Sequence, residues 1–235
     1  MNPVQDVGSG DAGAERGPPS NAQTAYVAIK ARILGNVYGP GATVSVQELA
    51  QELGMSRTPI RDALIRLEKE QLVALAPRHG FRVLPMLAEE MLSIYEILAG
   101  LEASAIELLI DRGLDERGRD RLRGSVEALE HALADNDLET WADADAAFHR
   151  ALIELAGNRR LLATVNQFWD QTTRARAITL RLRPRPQKST ESHRGLIEAI
   201  IARDAPTARE IHWSQRLRSA RELADILAKL NLRHL

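Results

Sequence analysis

The chain lacks cysteine and is poor in aromatic residues: its 235 residues include three tryptophans, three tyrosines and three phenylalanines. Without thiols it forms neither disulfides nor thiolate metal sites, which suits a reducing cytoplasm. No apolar run approaches the roughly 20 residues that a membrane-spanning helix needs. We therefore expect a cytoplasmic protein with no membrane partner.

The N-terminal segment is also short of large apolar side chains. Residues 1–20 are rich in glycine, proline, aspartate, asparagine and serine. They have no apolar core of the kind found in a signal peptide, and they offer too little apolar surface to fold. We predict a disordered arm over residues 1–20.

A charge excess of either sign is missing as well, since the net charge is −1. The net charge alone argues against a nucleic-acid partner, but DNA binding depends more on where the charges lie along the chain. Residues 24–83 contain eight lysines and arginines against five acidic residues, an excess of three positive charges. This part of the chain is therefore modestly basic, and a dimer would double that excess.

Residues 56–64, Ser-Arg-Thr-Pro-Ile-Arg-Asp-Ala-Leu, are typical of the start of a DNA-recognition helix. Ser56 is predicted to accept N-cap hydrogen bonds, and Pro59 is tolerated in the first turn. Arg57 and Arg61 are four residues apart and share one helix face, from which arginine can pair with guanine in the major groove. On this segment alone, an exposed helix with no DNA contact is an equal alternative.

The flanking segments favour DNA recognition. Residues 24–34 predict an amphipathic helix, and residues 44–53 predict a short helix that ends at Gly54. Only Met55 then separates Gly54 from the cap residue Ser56, a connection as tight as that of a helix-turn-helix.

Two strands are predicted after the recognition helix, over residues 72–77 and 81–84, with a glycine-containing loop between them. Such a hairpin is typical of a wing. We predict a winged helix-turn-helix domain over residues 21–84, close to the lower size limit for an independent core.

From Pro85 onward the pattern is helical, without a convincing strand. The fold class is therefore mainly α: the winged helix-turn-helix followed by an antiparallel bundle of about six helices over residues 85–235. The predicted helices cover residues 88–111, 115–135, 138–156, 159–183, 191–203 and 205–230.

Asp145 and His149 lie four residues apart on one predicted helix, a spacing that can chelate a divalent metal. His193, near the start of a later helix, could converge on the same interior point. From the residue types alone the evidence is weak, because a buried histidine is more often structural than a ligand.

The N-terminal pattern resembles the GntR family of bacterial transcription regulators. The matching residues are Ile33-Leu34-Gly35, Pro40-Gly41, Leu49-Ala50, Leu53-Gly54, Ser56-Arg57-Thr58-Pro59, Arg61-Asp62-Ala63-Leu64, Leu67-Glu68, Leu72-Val73 and Gly80-Phe81-Arg82-Val83. The resemblance implies that Arg57, Thr58 and Arg61 contact bases or phosphates, and that His79 and Gly80 lie at the wing tip. The full predicted DNA-binding set is Gln47, Ser56, Arg57, Thr58, Pro59, Arg61, His79 and Gly80.

The C-terminal part is similar to the FadR branch of that family, whose helical FCD domain senses a ligand. The matching residues are Leu101-Glu102, Phe148-His149, Leu152, Ala156-Gly157-Asn158, His193, Ile197 and Ala199-Ile200. Metal-binding members place one Asp and three His around the ion, and Asp145, His149 and His193 match three of these. The fourth position reads Gln215, and His212, three residues earlier, would replace it as a ligand if the helix register differs. This departure either weakens metal binding or leaves three ligands and an open position for an effector, so Gln215 and His212 are predicted for the fourth metal position or the effector pocket. The resemblance implies a divalent metal, zinc ahead of nickel or manganese, and no organic cofactor is predicted.

A second departure from the family concerns the effector. Many relatives carry an Arg in the first bundle helix that clamps an effector carboxylate, and here Leu98 occupies that position. Arg174 and Arg176 are further cations, which we assign to the solvated surface. We likewise interpret residues 181–186, Arg-Leu-Arg-Pro-Arg-Pro, as a solvated inter-helix loop rather than a nucleic-acid or membrane patch.

The resulting hypothesis is a ligand-responsive, sequence-specific transcriptional regulator, a repressor that binds a pseudo-palindromic DNA operator as a homodimer. Its small-molecule effector would be an organic acid or a sugar acid. The alternative is a metal-dependent hydrolase that uses Asp145, His149 and His193 to activate water. That alternative leaves the winged helix unexplained, and no carboxylate is obviously spare as a general base, so we do not expect an enzyme.

Overall fold

The computed structural model describes residues 19–76 and 80–230. The N-terminal elements are α1 (Asn21–Leu34), β1 (Thr43–Val44), α2 (Val46–Leu53), α3 (Arg57–Lys69), β2 (Val73–Ala76) and β3 (Gly80–Val83). The C-terminal elements are α4 (Ala88–Arg112), α5 (Glu116–Ala134), α6 (Leu138–Leu155), α7 (Arg159–Thr179) with a 3₁₀ turn at Leu180–Leu182, α8 (Gln187–Ala202) and α9 (Ala205–Leu230). The predicted fold class, a winged helix-turn-helix followed by a six-helix bundle, is confirmed.

Local sequence signals explain the helix-turn-helix. Ser45 and Glu48 form a reciprocal capping box at the start of α2, and Gly54 ends that helix in the left-handed conformation (φ 62°). Ile60, Leu64 and Leu67 of α3 are fully or almost fully buried in the N-terminal core. Helix α3 is therefore held by its apolar face, which leaves its polar face to solvent.

The wing is a three-stranded antiparallel sheet in the order β1-β3-β2. The central strand β3 needs a glycine at its first residue. Gly80 has φ +93°, and a Cβ there would lie 2.1 Å from the Val44 carbonyl oxygen of β1. Any other residue would push β1 and β3 apart, so the close approach of the two strands depends on this glycine.

Several local predictions were wrong in detail. Strand β1 was not predicted, because two residues carry no periodicity. Ser56 occupies the N-cap of α3 but its side chain makes no capping hydrogen bond. Helix α7 ends at Thr179, short of the predicted residue 183, and Arg183 is extended (φ −85°, ψ 152°), as the residue before Pro184 tends to be. Helix α8 begins directly after Pro186, four residues earlier than predicted.

The bundle is built around its two longest helices, α4 and α9, which pack along each other, while α5 packs against α6 and α8. Helices α4, α6, α8 and α9 all contribute side chains to one interior polar cluster. Helix α7 contacts both this bundle and α1 of the winged domain, so it connects the two parts of the molecule. None of the described helices is long and apolar enough to cross a bilayer.

Candidate metal centre and nucleic-acid interface

The bundle core brings together the three residues whose spacing suggested a metal site. Asp145 and His149 project from α6 and His193 from α8, and one ligand atom from each lies within 4.8 Å of the others. His193 Nε2 is 3.0 Å from Asp145 Oδ1, and His149 Nε2 is 3.8 Å from the same oxygen. All three side chains are buried.

The polar atoms of this triad are suited to a cation. Among the described residues, Oδ1 of Asp145, both ring nitrogens of His149 and Nε2 of His193 have no hydrogen-bond partner, whereas Oδ2 of Asp145 meets the guanidinium of Arg176. Buried polar atoms are normally satisfied, and unsatisfied ones cost free energy. A divalent ion would satisfy a carboxylate and two imidazoles at once, so the residues present fit a metal.

His193 is oriented for ligation by its second nitrogen. Its Nδ1 lies 2.6 Å from the carbonyl oxygen of Ser189, one turn earlier on α8. A carbonyl only accepts hydrogen bonds, so Nδ1 carries the proton and Nε2 presents its lone pair towards Asp145. This is the usual way in which a protein fixes the tautomer of a ligating histidine.

Burial keeps the histidines neutral, as metal ligands must be. Burial is the main cause that lowers the pKa of His149 well below its usual value, and the positive charge of Arg216 lowers it further. Burial likewise lowers the pKa of His193 to about 3, against the opposing hydrogen bond to Ser189. At neutral pH both rings are therefore uncharged, and each has one nitrogen whose lone pair can bind a metal.

The two residues proposed for the fourth position have different surroundings. His212 Nε2 lies 3.4 Å from Glu102 Oε2, which is itself 3.5 Å from His149 Nδ1. Nε2 of His212 has no hydrogen-bond partner among the described residues, and burial lowers the pKa of the ring to about 3 against an opposing hydrogen bond to the Ala99 backbone. Gln215 instead donates from Nε2 to Ser189 Oγ (3.3 Å) and Ser219 Oγ (3.4 Å). Of these two residues, His212 is therefore the one with a ring nitrogen available to bind an ion.

Two arginines that the sequence did not connect with the site complete it. Arg176 of α7 forms an ion pair with Asp145, and Arg216 of α9 pairs with both carboxylate oxygens of Glu102, with Nε 2.6 Å from Oε2. The assignment of Arg174 and Arg176 to the solvated surface was wrong: Arg174 is 2% exposed and the Arg176 side chain 18%. Arginine in a helix usually predicts a solvated face, so no periodicity signalled these inward positions.

The charges of this cluster nearly cancel before any ion is counted. The carboxylates of Asp145 and Glu102 are balanced by the guanidinium groups of Arg176 and Arg216. A divalent cation would therefore leave the interior with a net charge of about +2, which attracts anions strongly in a low-dielectric environment.

The predicted DNA-contact residues form a second, separate surface. Gln47, Arg57, Arg61 and Gly80 line one cleft between the recognition helix and the wing, with a volume of about 540 Å³. Both arginines are exposed, and Arg57 Nη2 donates to Gln47 Oε1 at 3.4 Å.

The remaining predicted contacts lie at the start of α3. Ser56 and Thr58 are exposed and Pro59 is half-buried. His79 lies outside the described residues. The structure thus presents the cationic and amide side chains of α2 and α3 on one accessible face beside the wing.

Comparison with known proteins identifies the family of both parts of the chain. Residues 21–83 match the family of bacterial regulatory proteins called the gntR family, and residues 93–214 match the FCD domain. The chain belongs to the GntR family. Its C-terminal domain is an FCD domain, as in the FadR-like branch, and this family consists of transcriptional regulators rather than enzymes. The hydrolase alternative is therefore rejected.

Several relatives are regulators with helix-turn-helix domains. A regulator from an unstable DNA locus of Streptomyces ambofaciens is 30% identical over 193 residues, covering 81% of this chain and 79% of its own. The Escherichia coli transcriptional repressor GlaR is 29% identical over 195 residues, covering 79% and 88%. The solved structure of E. coli McbR/YncC is 22% identical with a TM-score of 0.74, covering 91% and 99%, and shares the fold.

Proposed function

We propose that this GntR-family regulator is a repressor that binds a pseudo-palindromic operator as a homodimer and releases it in response to a small-molecule effector. The winged domain would span residues 21–84 and the sensor domain residues 85–235. GlaR and the gluconate operon regulator of Bacillus licheniformis both carry the name of repressor. The protein would act in the cytoplasm, where operator DNA is accessible.

The exposed cleft between α3 and the wing supports the DNA-binding part of the proposal. Arg57 and Arg61 present guanidinium groups that can pair bidentately with guanine, while Gln47 and the helix N-terminus can meet phosphate oxygens. One winged domain offers few base contacts, so two copies on related half-sites are needed for typical specific affinity.

The unsatisfied triad in the bundle core is the observation that carries the sensor part. Asp145, His149 and His193 would hold a divalent metal, zinc ahead of nickel or manganese, with His212 beside them. When bound, the metal supplies positive charge and open coordination positions for a carboxylate or hydroxyl group. Arg176 and Arg216 pair with the two carboxylates and orient them. An organic acid or a sugar acid is the effector class that this chemistry favours.

The experiment combines operator selection with metal analysis. Full-length protein purified without chelators should enrich a two-fold-symmetric sequence from a random DNA library and sediment as a dimer. It should also contain about one divalent ion per chain, which chelation removes. Effector and operator affinities should then be linked reciprocally. Failure to enrich any sequence, or a monomer at micromolar concentration, would contradict the DNA-binding proposal.

A further inference from the structure

A cavity lined by polar side chains lies about one helical turn away from the metal cluster. Its volume is about 460 Å³, within the range of small-molecule sites. It is formed by the start of α6, the connection between α7 and α8, the first turn of α8 and one face of α9. The connection is the Arg-Leu-Arg-Pro-Arg-Pro segment, which we had interpreted as a solvated loop.

The side chains around this cavity carry an excess of positive charge. Arg183, Arg185, Lys188 and Arg218 line it together with only two carboxylates, an excess of two positive charges. The Arg183 side chain is 12% exposed, and its nearest carboxylate oxygen, on Glu222, is 3.9 Å away.

The other cations of the lining are also poorly neutralised. Arg218 donates to the Ser192 hydroxyl, at 3.3 Å, and Arg185 donates to the Leu133 carbonyl. In the described part of the chain Lys188 Nζ has no ion-pair partner. The remaining lining carboxylate, Glu191, accepts from the Gln187 amide at 3.0 Å. Arg183 and Arg218 are partly buried, whereas Arg185 and Lys188 are exposed. Partly buried cations without a close carboxylate favour an external anion.

The backbone adds to this preference. Helix α8 is 16 residues long and its first turn lines the cavity, while its N-cap residue Pro186 provides no capping side chain. The positive end of the helix dipole therefore faces the same space as the four cations.

The cavity and the metal cluster share the same helices. Trp141 on the cavity wall is four residues before Asp145 on α6, and Ser189 is four residues before His193 on α8. About one helical turn, or roughly 6 Å along the axis, separates the members of each pair. The hydrogen bond between Gln215 and Ser189 lies between the two spaces.

We propose that this cavity is a binding site for a small polyanion, and that the effector therefore carries at least two anionic groups, as a di- or tricarboxylate or a phosphorylated compound does. One group would bind the cations of the cavity, and the other would reach towards the metal cluster past Gln215. The proposal rests on the sensor function proposed above, but anion binding in the cavity itself needs no metal.

Titration calorimetry on the full-length, metal-free protein tests this site. The probes are tricarballylate and inorganic pyrophosphate, each at low ionic strength. At least one should bind saturably with one site per chain and a Kd below about 1 mM. The double variant Lys188→Gln/Arg218→Gln should weaken binding about tenfold or more. Arg181→Gln is the matched control, because Arg181 lies on the same connection but is 80% exposed and pairs with Glu139 outside the cavity.

A second measurement distinguishes loss of the binding site from misfolding of a variant. Trp141 is buried in the cavity wall, so probe binding should change its fluorescence, and Trp141→Phe should remove that change while thermal unfolding stays cooperative. No saturable binding of either probe would overturn the proposal. Equal weakening by Arg181→Gln would also overturn it, because it would indicate diffuse charge attraction. Loss of operator binding with intact pyrophosphate binding would instead contradict only the proposed repressor function.

Discussion

Lys30 Nζ on α1 lies 2.5 Å from Asp170 Oδ2 on α7, so an ion pair joins the winged domain to the helical bundle. Lys30 also donates to Glu70 (2.8 Å) and to the Tyr26 hydroxyl (2.6 Å), both in the winged domain. Burial lowers the pKa of Lys30, but its bonds to Asp170 and Glu70 outweigh burial and raise it overall. The contact is therefore charged throughout the physiological pH range.

The same helix reaches the metal cluster. Asp170 and Arg176 lie six residues apart on α7, about 9 Å along the axis, and Arg176 pairs with Asp145. A metal or effector that competes for Asp145 would release Arg176 and change the forces on α7. Because α7 also holds Lys30, that change would act on the position of the winged domain.

We expect Asp170→Asn to reduce this communication. The variant should bind metal as the wild type does, but the effect of effector on operator affinity should fall several-fold. Mobility shifts with and without effector, at fixed metal, measure this coupling. Glu139→Gln is the control, since it breaks the exposed ion pair with Arg181, far from the α1–α7 contact. Unchanged coupling in Asp170→Asn would exclude this ion pair as the route.

Arg57→Ala and Arg61→Ala should each weaken operator binding by about 1–3 kcal/mol, or roughly tenfold to a hundredfold, if that arginine reads a guanine. Both side chains are exposed, so folding should be unaffected. Lys69→Ala removes the same charge from the exposed last turn of α3 and should cost much less. Retained affinity in the double arginine variant, with normal circular dichroism, would show that another surface binds DNA.

The sequence predicted the elements whose information is local. Gly54 at the end of α2 and the apolar face of α3 are visible in short segments, and the four-residue spacing of Asp145 and His149 placed both on one face of α6. The position of His193 beside Asp145 and His149 was predicted from the family resemblance, because local sequence patterns do not indicate which helices pack together.

The inward arginines could not be predicted. Arg176 and Arg216 are stable inside the bundle only because carboxylates on other helices meet them there. Charged residues in an amphipathic helix usually predict its solvated face, so such pairs become visible only when the tertiary structure is known. Arg183 is likewise only 12% exposed although it lies in a segment that reads as a loop.

His212→Ala should lower metal affinity more than Gln215→Ala does. Nε2 of His212 lies 3.4 Å from Glu102 and has no hydrogen-bond partner among the described residues, whereas the Gln215 amide already bonds to Ser189 and Ser219. Competition with a fluorescent zinc chelator measures both affinities. His149→Ala serves as the positive control, with a loss of at least tenfold. A larger loss in Gln215→Ala would place the fourth ligand at residue 215 instead.

Metal-free protein should lose stability as the pH falls below about 6.5. His149, His193 and His212 have lowered pKa values in the folded state, so they stay neutral there while the unfolded chain takes up protons. Their contribution is complete above pH 6.5 and is lost progressively towards pH 3. Urea unfolding between pH 7 and pH 5 should show this. The variant His212→Gln should reduce proton uptake on unfolding by up to about one, whereas the exposed His131→Gln should not.

The buried pair of Glu102 and Arg216 should be stabilising only as a pair. Glu102 is 0% and Arg216 3% exposed, so removing one charge leaves the other desolvated without a counter-ion. Glu102→Gln should therefore cost about 3–5 kcal/mol, which lowers the Tm of metal-free protein by roughly 6–20 °C in a chain of this size. The double variant Glu102→Leu/Arg216→Met replaces both charges with apolar groups and should recover most of that loss. Thermal unfolding of the three proteins measures the difference, and a double variant less stable than Glu102→Gln would mean that the two ions stabilise the core beyond their mutual attraction.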